Sequence, residues 1–181
     1  MNQEIKKAVD AFYQVRNIPY VLGLDGDPNK LLPESKGNCS RKDLYLASQL
    51  KELGFEVILG IAAFSLAELP IPQAFINLLA NPIDSHMFLY VRHPSIGNYM
   101  RIDLTWDPEL KTKKFPINEW DGIHTNELGV KAHTIRTENL KLFQTKALMR
   151  KVVNTLRTLN GNETKPTPFN DAVNNWLGRS K

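Results

Sequence analysis

Apolar side chains recur every three or four residues in two early stretches of the chain. This spacing predicts a helix over residues 2–15 and a second helix over residues 40–53. Ser40 and Asp43 resemble a capping pair at the start of the second helix, and Gly54 suits its left-handed end. Each helix therefore has one apolar face available for a core.

Strand patterns follow the second helix. The apolar, largely β-branched run Phe55–Phe64 predicts a buried strand. Residues 86–92 and 99–106 alternate apolar and polar side chains on either side of the turn-forming residues 93–98. Two alternating runs around such a turn predict a β-hairpin.

The other segments have weaker patterns. We predict a long loop over residues 23–38, which are rich in Gly, Asp, Asn, Pro and Ser, and a short helix over residues 72–80. For residues 107–136 we predict a mixture of loops and short secondary-structure elements. A basic helix is predicted over residues 137–158 and a final helix over residues 169–177.

Composition restricts the class of protein. The chain has 181 residues, of which 42% are hydrophobic and 23% charged, as in soluble globular proteins. No apolar run is long enough to span a bilayer, and the first residues lack the apolar region of a secretory signal. The single cysteine cannot form an internal disulfide or a structural zinc site. We therefore expect a cytoplasmic protein without a membrane partner.

Charge is unevenly distributed within what the length predicts to be a single domain, residues 1–181. Residues 131–181 hold 10 Lys and Arg against 3 Asp and Glu, so we expect a basic helical extension after a core at about residues 15–107. A basic segment can bind nucleic acid. Because Phe143 is the one aromatic side chain within the predicted basic helix, a solvated helix face is the favoured interpretation, and nucleic acid is not an expected partner.

Cys39 is the first candidate for chemistry. It follows Gly37 and Asn38 at the predicted start of the second helix. A helix N-terminus stabilises a thiolate, and the thiolate is the nucleophile of cysteine enzymes. The alternative is an inert, buried small side chain. The position of Cys39 leaves both interpretations open.

A nucleophilic cysteine needs a base and a group that orients the base. Of the four histidines, His86 begins a predicted strand, whereas the others fall in turns or loops. Alternation in the hairpin places His86 and Asp103 on the same face. Pairing Met87 with Ile102 would place these two polar side chains directly opposite each other, about 5 Å apart at Cβ.

Three motifs in this order resemble the transglutaminase-like superfamily. The first is Gly37–Cys39 opening a helix that ends in Leu53–Phe55 ahead of a strand. The second is His86 at the start of a strand, and the third is Asp103 within the next strand. The resemblance covers about residues 15–107, which is a little over half of the chain.

The resemblance implies an α+β, papain-like fold in which a helix carrying the cysteine packs on an antiparallel sheet. It also implies a cysteine enzyme that acts on an amide or peptide bond through a thioester on Cys39. His86 would transfer the proton and Asp103 would orient His86. The thioester would pass to water, as in a protease or amidase, or to an amine, as in an acyltransferase.

Other site residues are expected on the same basis. Asn38 or Tyr20, with the backbone N–H of Cys39, would bind the oxyanion. Trp106 would line the substrate cleft, although ordinary core packing also accounts for it. The expected partner is a peptide, protein or small amide substrate. No cofactor is implied and no metal, since the remaining histidines lack ligand spacing to His86 and Asp103.

Two further functions remain open. An arylamine N-acetyltransferase has the same order of Cys, His and Asp, but approaches its cysteine through Arg-Gly-Gly, which differs from Lys36–Asn38 in this chain. Binding of acetyl-CoA would distinguish this enzyme. A peptide- or partner-binding module on the same fold, without catalysis, is the other alternative, and the complete set of three residues argues against it.

Overall fold

The structure is a computed structural model that describes residues 2–139 and 167–179. Four strands form one antiparallel sheet: β1 (Glu56–Ser65), β2 (Ile83–Arg92), β3 (Met100–Ile102) and β4 (Thr134–Asn139). Their order across the sheet is β3-β2-β1-β4. The fold is therefore α+β, with the two longest strands at the centre of the sheet.

Helices pack around this sheet. They are α1 (Gln3–Arg16), α2 (Leu31–Glu34), α3 (Cys39–Glu52), α4 (Gln73–Ile76) and α5 (Pro168–Trp176). Three 3₁₀ turns, Pro28–Lys30, Leu66–Glu68 and Pro108–Lys113, complete the helical elements. Within the described ranges, no helix has the length and apolar character needed to cross a membrane.

The two long helices were predicted from their apolar spacing, and the prediction is confirmed. The cap of α3 differs, because Asn38 takes that position and its side-chain oxygen accepts from the Arg41 N–H at 3.0 Å. The predicted pair of Ser40 and Asp43 is wrong, since Asp43 is fully buried beneath the helix. Gly54 ends the helix with φ 83°, as predicted.

The first hydrophobic core lies between one face of the sheet and the helices α1 and α3. Side chains at helical spacing on α1 and α3 meet alternate side chains of β1, β2 and β3. Each large apolar side chain that is fully buried here contributes about 1.5–3 kcal/mol. Fully buried members of this core are Ala8, Phe12, Leu46, Leu50, Leu59, Leu89 and Ile102.

A second hydrophobic core joins the end of β1 to the C-terminal helix α5. It brings together residues from distant parts of the chain, which the sequence pattern did not connect. Its members include Phe64, Leu66, Trp106, Leu110, Phe115, Phe169, Val173 and Leu177. The described C-terminal segment is thus part of the packed structure.

The predicted hairpin is confirmed, but its boundaries differ. Strand β2 begins at Ile83, three residues before the predicted start, and β3 ends at Ile102 instead of continuing to residue 106. The reason is that the Asp103 N–H donates to the side chain of Asn126 at 2.8 Å, so Asp103 leaves the strand ladder. The polar loop that follows β3 therefore decides where the strand stops.

Three other segments differ from the predicted elements. The predicted loop over residues 23–38 contains the Pro28–Lys30 turn and α2, and α4 is shorter than predicted. Residues 137–139 belong to β4, so the start of the predicted basic helix is wrong. Its remaining residues, 140–158, lie outside the described residues. The final helix is confirmed as α5, shifted by one residue.

Candidate active site

Cys39 is the first residue of α3 and its side chain is half-buried. The chain enters the helix through Gly37 and Asn38, both buried. A Cβ on Gly37 would lie 2.6 Å from Leu31, so only glycine allows this close approach. The helix therefore starts where the sequence predicted the nucleophile, so Cys39 lies at the positive end of the helix dipole.

His86 and Asp103 are in contact, as the alternation of the hairpin predicted. The His86 Nε2 and the Asp103 Oδ2 are 2.5 Å apart, and both side chains are buried. The predicted register is wrong by two residues, because Leu89 and not Met87 pairs with Ile102. The contact still forms, since Asp103 has left the ladder and a two-residue change keeps both side chains on the same face.

Three groups fix the Asp103 side chain and backbone. Its Oδ2 also accepts from the Gly129 N–H at 2.7 Å, and its Oδ1 accepts from the Thr105 N–H at 3.0 Å. The Asn126 side chain accepts from the Asp103 N–H and donates to the Asp103 carbonyl oxygen. Asp103 is thus held in one orientation towards His86.

Asn126 and Gly129 were not predicted from the sequence. They lie in a segment without periodicity, so only the three-dimensional contact reveals them. The one available signal is the glycine itself. A Cβ at position 129 would lie 2.6 Å from the Trp106 ring nitrogen and 3.3 Å from the Asp103 Oδ2, so a side chain there would displace one of them.

Trp106, predicted to line the cleft, lies between the site and the second core. Its ring nitrogen donates to the Gly129 carbonyl oxygen at 2.7 Å, and its ring is 4.6 Å from that of Tyr20. Only 5% of Trp106 is exposed, so the residue also packs as a core side chain. The two interpretations of this tryptophan are therefore compatible.

The protonation of the site follows from burial and pairing. Burial alone would raise the pKa of the Cys39 thiol, but the His86 imidazole and the Met87 N–H lower it below its ordinary value. Burial acts to lower the pKa of His86, but Asp103 and Cys39 raise it well above its ordinary value. Burial acts to raise the pKa of Asp103, but His86 and the N–H groups of Gly129 and Thr105 together lower it below its ordinary value. This arrangement favours a thiolate beside an imidazolium.

The two predicted oxyanion donors both line the same cavity as Cys39. The Asn38 side chain caps α3 and donates to the Leu24 carbonyl oxygen at 2.9 Å, which leaves one amide hydrogen. Burial, with the nearby Cys39, raises the pKa of Tyr20 well above its ordinary value. Tyr20 therefore keeps its proton and can donate it in a hydrogen bond to an oxyanion.

Two ionisable side chains are buried close to the site. Asp43 lies one helical turn after Cys39, and neither of its carboxyl oxygens has a hydrogen-bond partner among the described residues. Lys42 is fully buried and donates to the carbonyl oxygens of Arg16 and Thr105 at 3.0 and 2.9 Å. Such groups are costly to bury, and they cluster at functional sites more often than elsewhere.

A cavity of about 140 Å³ is lined by Cys39 and His86. Tyr20 and Trp106 form part of the same wall. Cys39, His86 and the candidate oxyanion donor Tyr20 therefore all line one cavity. This space is large enough for a substrate carbonyl and one side chain.

The other histidines are distant from this arrangement. His93 hydrogen-bonds Ser95, and His124 and His133 form exposed pairs with carboxylates. Within residues 2–139 and 167–179, no three His, Cys, Asp or Glu side chains are grouped so that they could hold a metal ion.

Comparisons with known proteins give no family. No protein-family model matches this chain, and neither does any curated protein or solved structure.

Proposed function

We propose that this protein is a cysteine enzyme of the transglutaminase-like class with a papain-like site. One observation carries the proposal. Cys39, at the N-terminus of α3, faces His86, which is in turn held by Asp103 at 2.5 Å. A nucleophile, a base and an orienting carboxylate in this order are the arrangement required for nucleophilic catalysis.

The first half of the reaction is acylation. The Cys39 thiolate attacks the carbonyl carbon of an amide, forming a C–S bond and a tetrahedral oxyanion. The oxyanion is stabilised by the Cys39 N–H and the Tyr20 hydroxyl. When the C–N bond breaks, the His86 imidazolium gives its proton to the departing amine. The product is a thioester on Cys39 and a neutral His86.

The second half is transfer of the acyl group. Water or a second amine attacks the thioester carbon, and His86 takes the proton of the attacking group. The C–S bond breaks and restores the thiolate beside the imidazolium. Water gives a carboxylic acid, as in a protease or amidase, and an amine gives a new amide, as in an acyltransferase. We propose hydrolysis as the main route.

The burial of the ionisable groups supports catalysis over passive binding. His86 and Asp103 are 2% and 0% exposed, and burying such a pair is expensive compared with packing apolar side chains of similar size. A binding surface does not require a buried histidine–carboxylate pair. A catalytic cysteine does require one, because the histidine is its base and the carboxylate orients that histidine. The proposed substrate is a peptide, protein or small amide, and the proposed location is the cytoplasm, where the thiol stays reduced.

The test is the hydrolysis of p-nitrophenyl acetate, a simple activated acyl donor. We expect a burst of p-nitrophenolate of about one equivalent per protein, followed by slower steady release as the thioester hydrolyses. The variant Cys39→Ala is the control and should lose the burst while remaining folded. Equal rates for the natural protein and Cys39→Ala would overturn the proposal and favour a binding module.

A further inference from the structure

The cavity beside Cys39 has a wall that the reaction itself does not require. Four apolar side chains come from the segment that follows β1, namely Leu66, Leu69, Ile71 and Leu79. Three more, Phe169, Val173 and Leu177, come from α5 and the residue after it. These seven side chains all pack in the second core and form an apolar part of the wall. Other parts of the wall are polar and include Ser40, Asp84, Ser85, Thr167 and Asn170.

The α5 side of this wall is anchored in place. The side chain of Asn174 accepts from the Leu22 N–H at 2.9 Å and donates to the Leu22 carbonyl oxygen at 3.1 Å. Arg179 pairs with the buried Asp107 at 2.7 Å. Because the Tyr20 N–H donates to the same Asp107 carboxylate, the wall and the oxyanion donor share one support.

The size of the cavity limits what can enter. Its volume is about 140 Å³. An apolar cavity of about 150 Å³ is known to hold a benzene molecule. One aromatic ring or one branched aliphatic group therefore matches this volume.

The proposed reaction determines which part of a substrate occupies the cavity. Cys39 and Tyr20 both line the cavity, so an acyl group bound to Cys39 lies next to this space. The departing amine receives its proton from His86 and must leave to solvent. The substituent on the acyl carbon is the part that remains bound through the thioester and can occupy the cavity.

We propose that this cavity is the acyl-group subsite of the enzyme and that it selects acyl groups bearing one apolar substituent, of the size of a phenyl or branched butyl group. The subsite rests on the proposed function. The side chains of α5 and of the segment after β1 determine the specificity. Anionic acyl groups are rejected, because a charge against the apolar side chains would lose its hydration and the Asp84 carboxylate also lines the cavity.

The experiment compares p-nitrophenyl acetate with p-nitrophenyl 3-phenylpropanoate. With either ester, the thiolate forms a C–S bond to the acyl carbon, the C–O bond breaks and p-nitrophenolate leaves. Because the leaving group is the same, the two rates differ only through the acyl group. Each rate is divided by the rate of the same ester with free cysteine. We expect the corrected ratio to favour the phenylpropanoate by about ten-fold or more.

Two variants test the wall. Leu79→Trp narrows the cavity and should lower the corrected ratio by about ten-fold. Leu78→Trp is the matched control, because Leu78 is the adjacent residue, is 53% exposed and does not line the cavity. Ile71→Trp narrows the cavity from another position, and should lower the ratio in the same way if Leu79→Trp fails to fold.

The outcomes separate the two proposals. Alkylation of Cys39 by iodoacetamide is measured in the same preparations. Fast alkylation with a corrected ratio near one, or with a ratio that Leu79→Trp and Ile71→Trp leave unchanged, overturns the subsite and retains the cysteine enzyme. Alkylation no faster than that of a free thiol overturns both.

Discussion

At the scale of single residues, burial and neighbouring charge set the protonation around Cys39. Asp43 is the clearest case, since it is fully buried and its oxygens have no hydrogen-bond partner among the described residues. Burial is the main cause that raises the pKa of Asp43 well above its ordinary value, and the negative charges of Asp103 and Cys39 add to it. Asp43 therefore stays protonated and adds no negative charge behind the thiolate.

Asp43 should make the stability of the protein depend on pH. Above about pH 4 the unfolded chain releases the Asp43 proton while the folded protein keeps it, so the free energy of unfolding falls as pH rises. Asp43→Asn removes this dependence. We expect the variant to gain stability relative to the natural protein between about pH 4 and pH 7, measured by urea unfolding.

A control separates titration from packing. Thr105→Val changes a buried hydroxyl that also lacks a hydrogen-bond partner among the described residues, but this group does not titrate. Its effect on the free energy of unfolding should be the same at about pH 4 and at about pH 7. If the effect of Asp43→Asn on the free energy of unfolding is also independent of pH, the prediction of a raised pKa for Asp43 is wrong.

At the scale of elements, the N-terminus of α3 links the fold to the chemistry. Asn38 ends the loop before the helix, accepts from the Arg41 N–H and donates to the Leu24 carbonyl oxygen. It thereby fixes both the start of the helix and the direction from which Cys39 enters the site. A change in this cap should affect stability and thiol reactivity together.

Asn38→Ala tests this link. Loss of a buried cap and a second hydrogen bond should cost about 1–3 kcal/mol of unfolding free energy and slow the alkylation of Cys39. Asn2→Ala is the matched control, because Asn2 caps α1 in the same way but at an exposed position. It should cost about 1 kcal/mol or less and leave alkylation unchanged. Equal effects of the two variants on alkylation would contradict the link.

Elements whose residues pack locally were predictable from the sequence. The helices α1 and α3 and the strand β1 follow the spacing of their own apolar residues. The end of β3 was not predictable, since it depends on a hydrogen bond from Asp103 to Asn126, more than twenty residues later in the chain. The register of the hairpin was missed for the same reason.

The candidate site divides in a similar way. Cys39, His86 and Asp103 were found because each lies at a recognisable position in a helix or strand. Gly129 was missed, since it lies in a loop whose role appears only when the loop reaches Asp103. The apolar wall formed by α5 was missed too, because no local pattern connects the end of the chain with the cysteine.

At the scale of the whole molecule, Lys42 ties separate parts of the chain together. Its ammonium lies on α3 and donates to the last residue of α1, Arg16, and to Thr105 beyond β3. Burial lowers the pKa of Lys42 to about 7, although nearby carboxylates such as Asp107 act to raise it. The neutral amine is therefore favoured in the folded protein already at mildly alkaline pH.

Lys42 should give the protein an alkaline dependence of stability. Between about pH 7 and pH 10 the unfolded chain keeps the Lys42 proton while the folded protein releases it, so the free energy of unfolding rises with pH. The rise is up to about 1.4 kcal/mol per pH unit. Lys42→Met should lack this contribution in urea unfolding. Leu46→Met is the control, a non-titrating change on the same helix, and its free energy of unfolding should differ from that of the natural protein by the same amount at every pH. A difference that is also independent of pH in Lys42→Met would contradict the lowered pKa of Lys42.

The most direct test of the central claim is the rate at which iodoacetamide alkylates Cys39, measured as a function of pH. The natural protein should show a rise in rate at a pH well below the ordinary thiol pKa of about 8.5, because His86 stabilises the thiolate. In His86→Ala this rise should move to about 8.5 or higher. A rise near 8.5 in both proteins, or identical profiles, would show that Cys39 and His86 do not act as a pair.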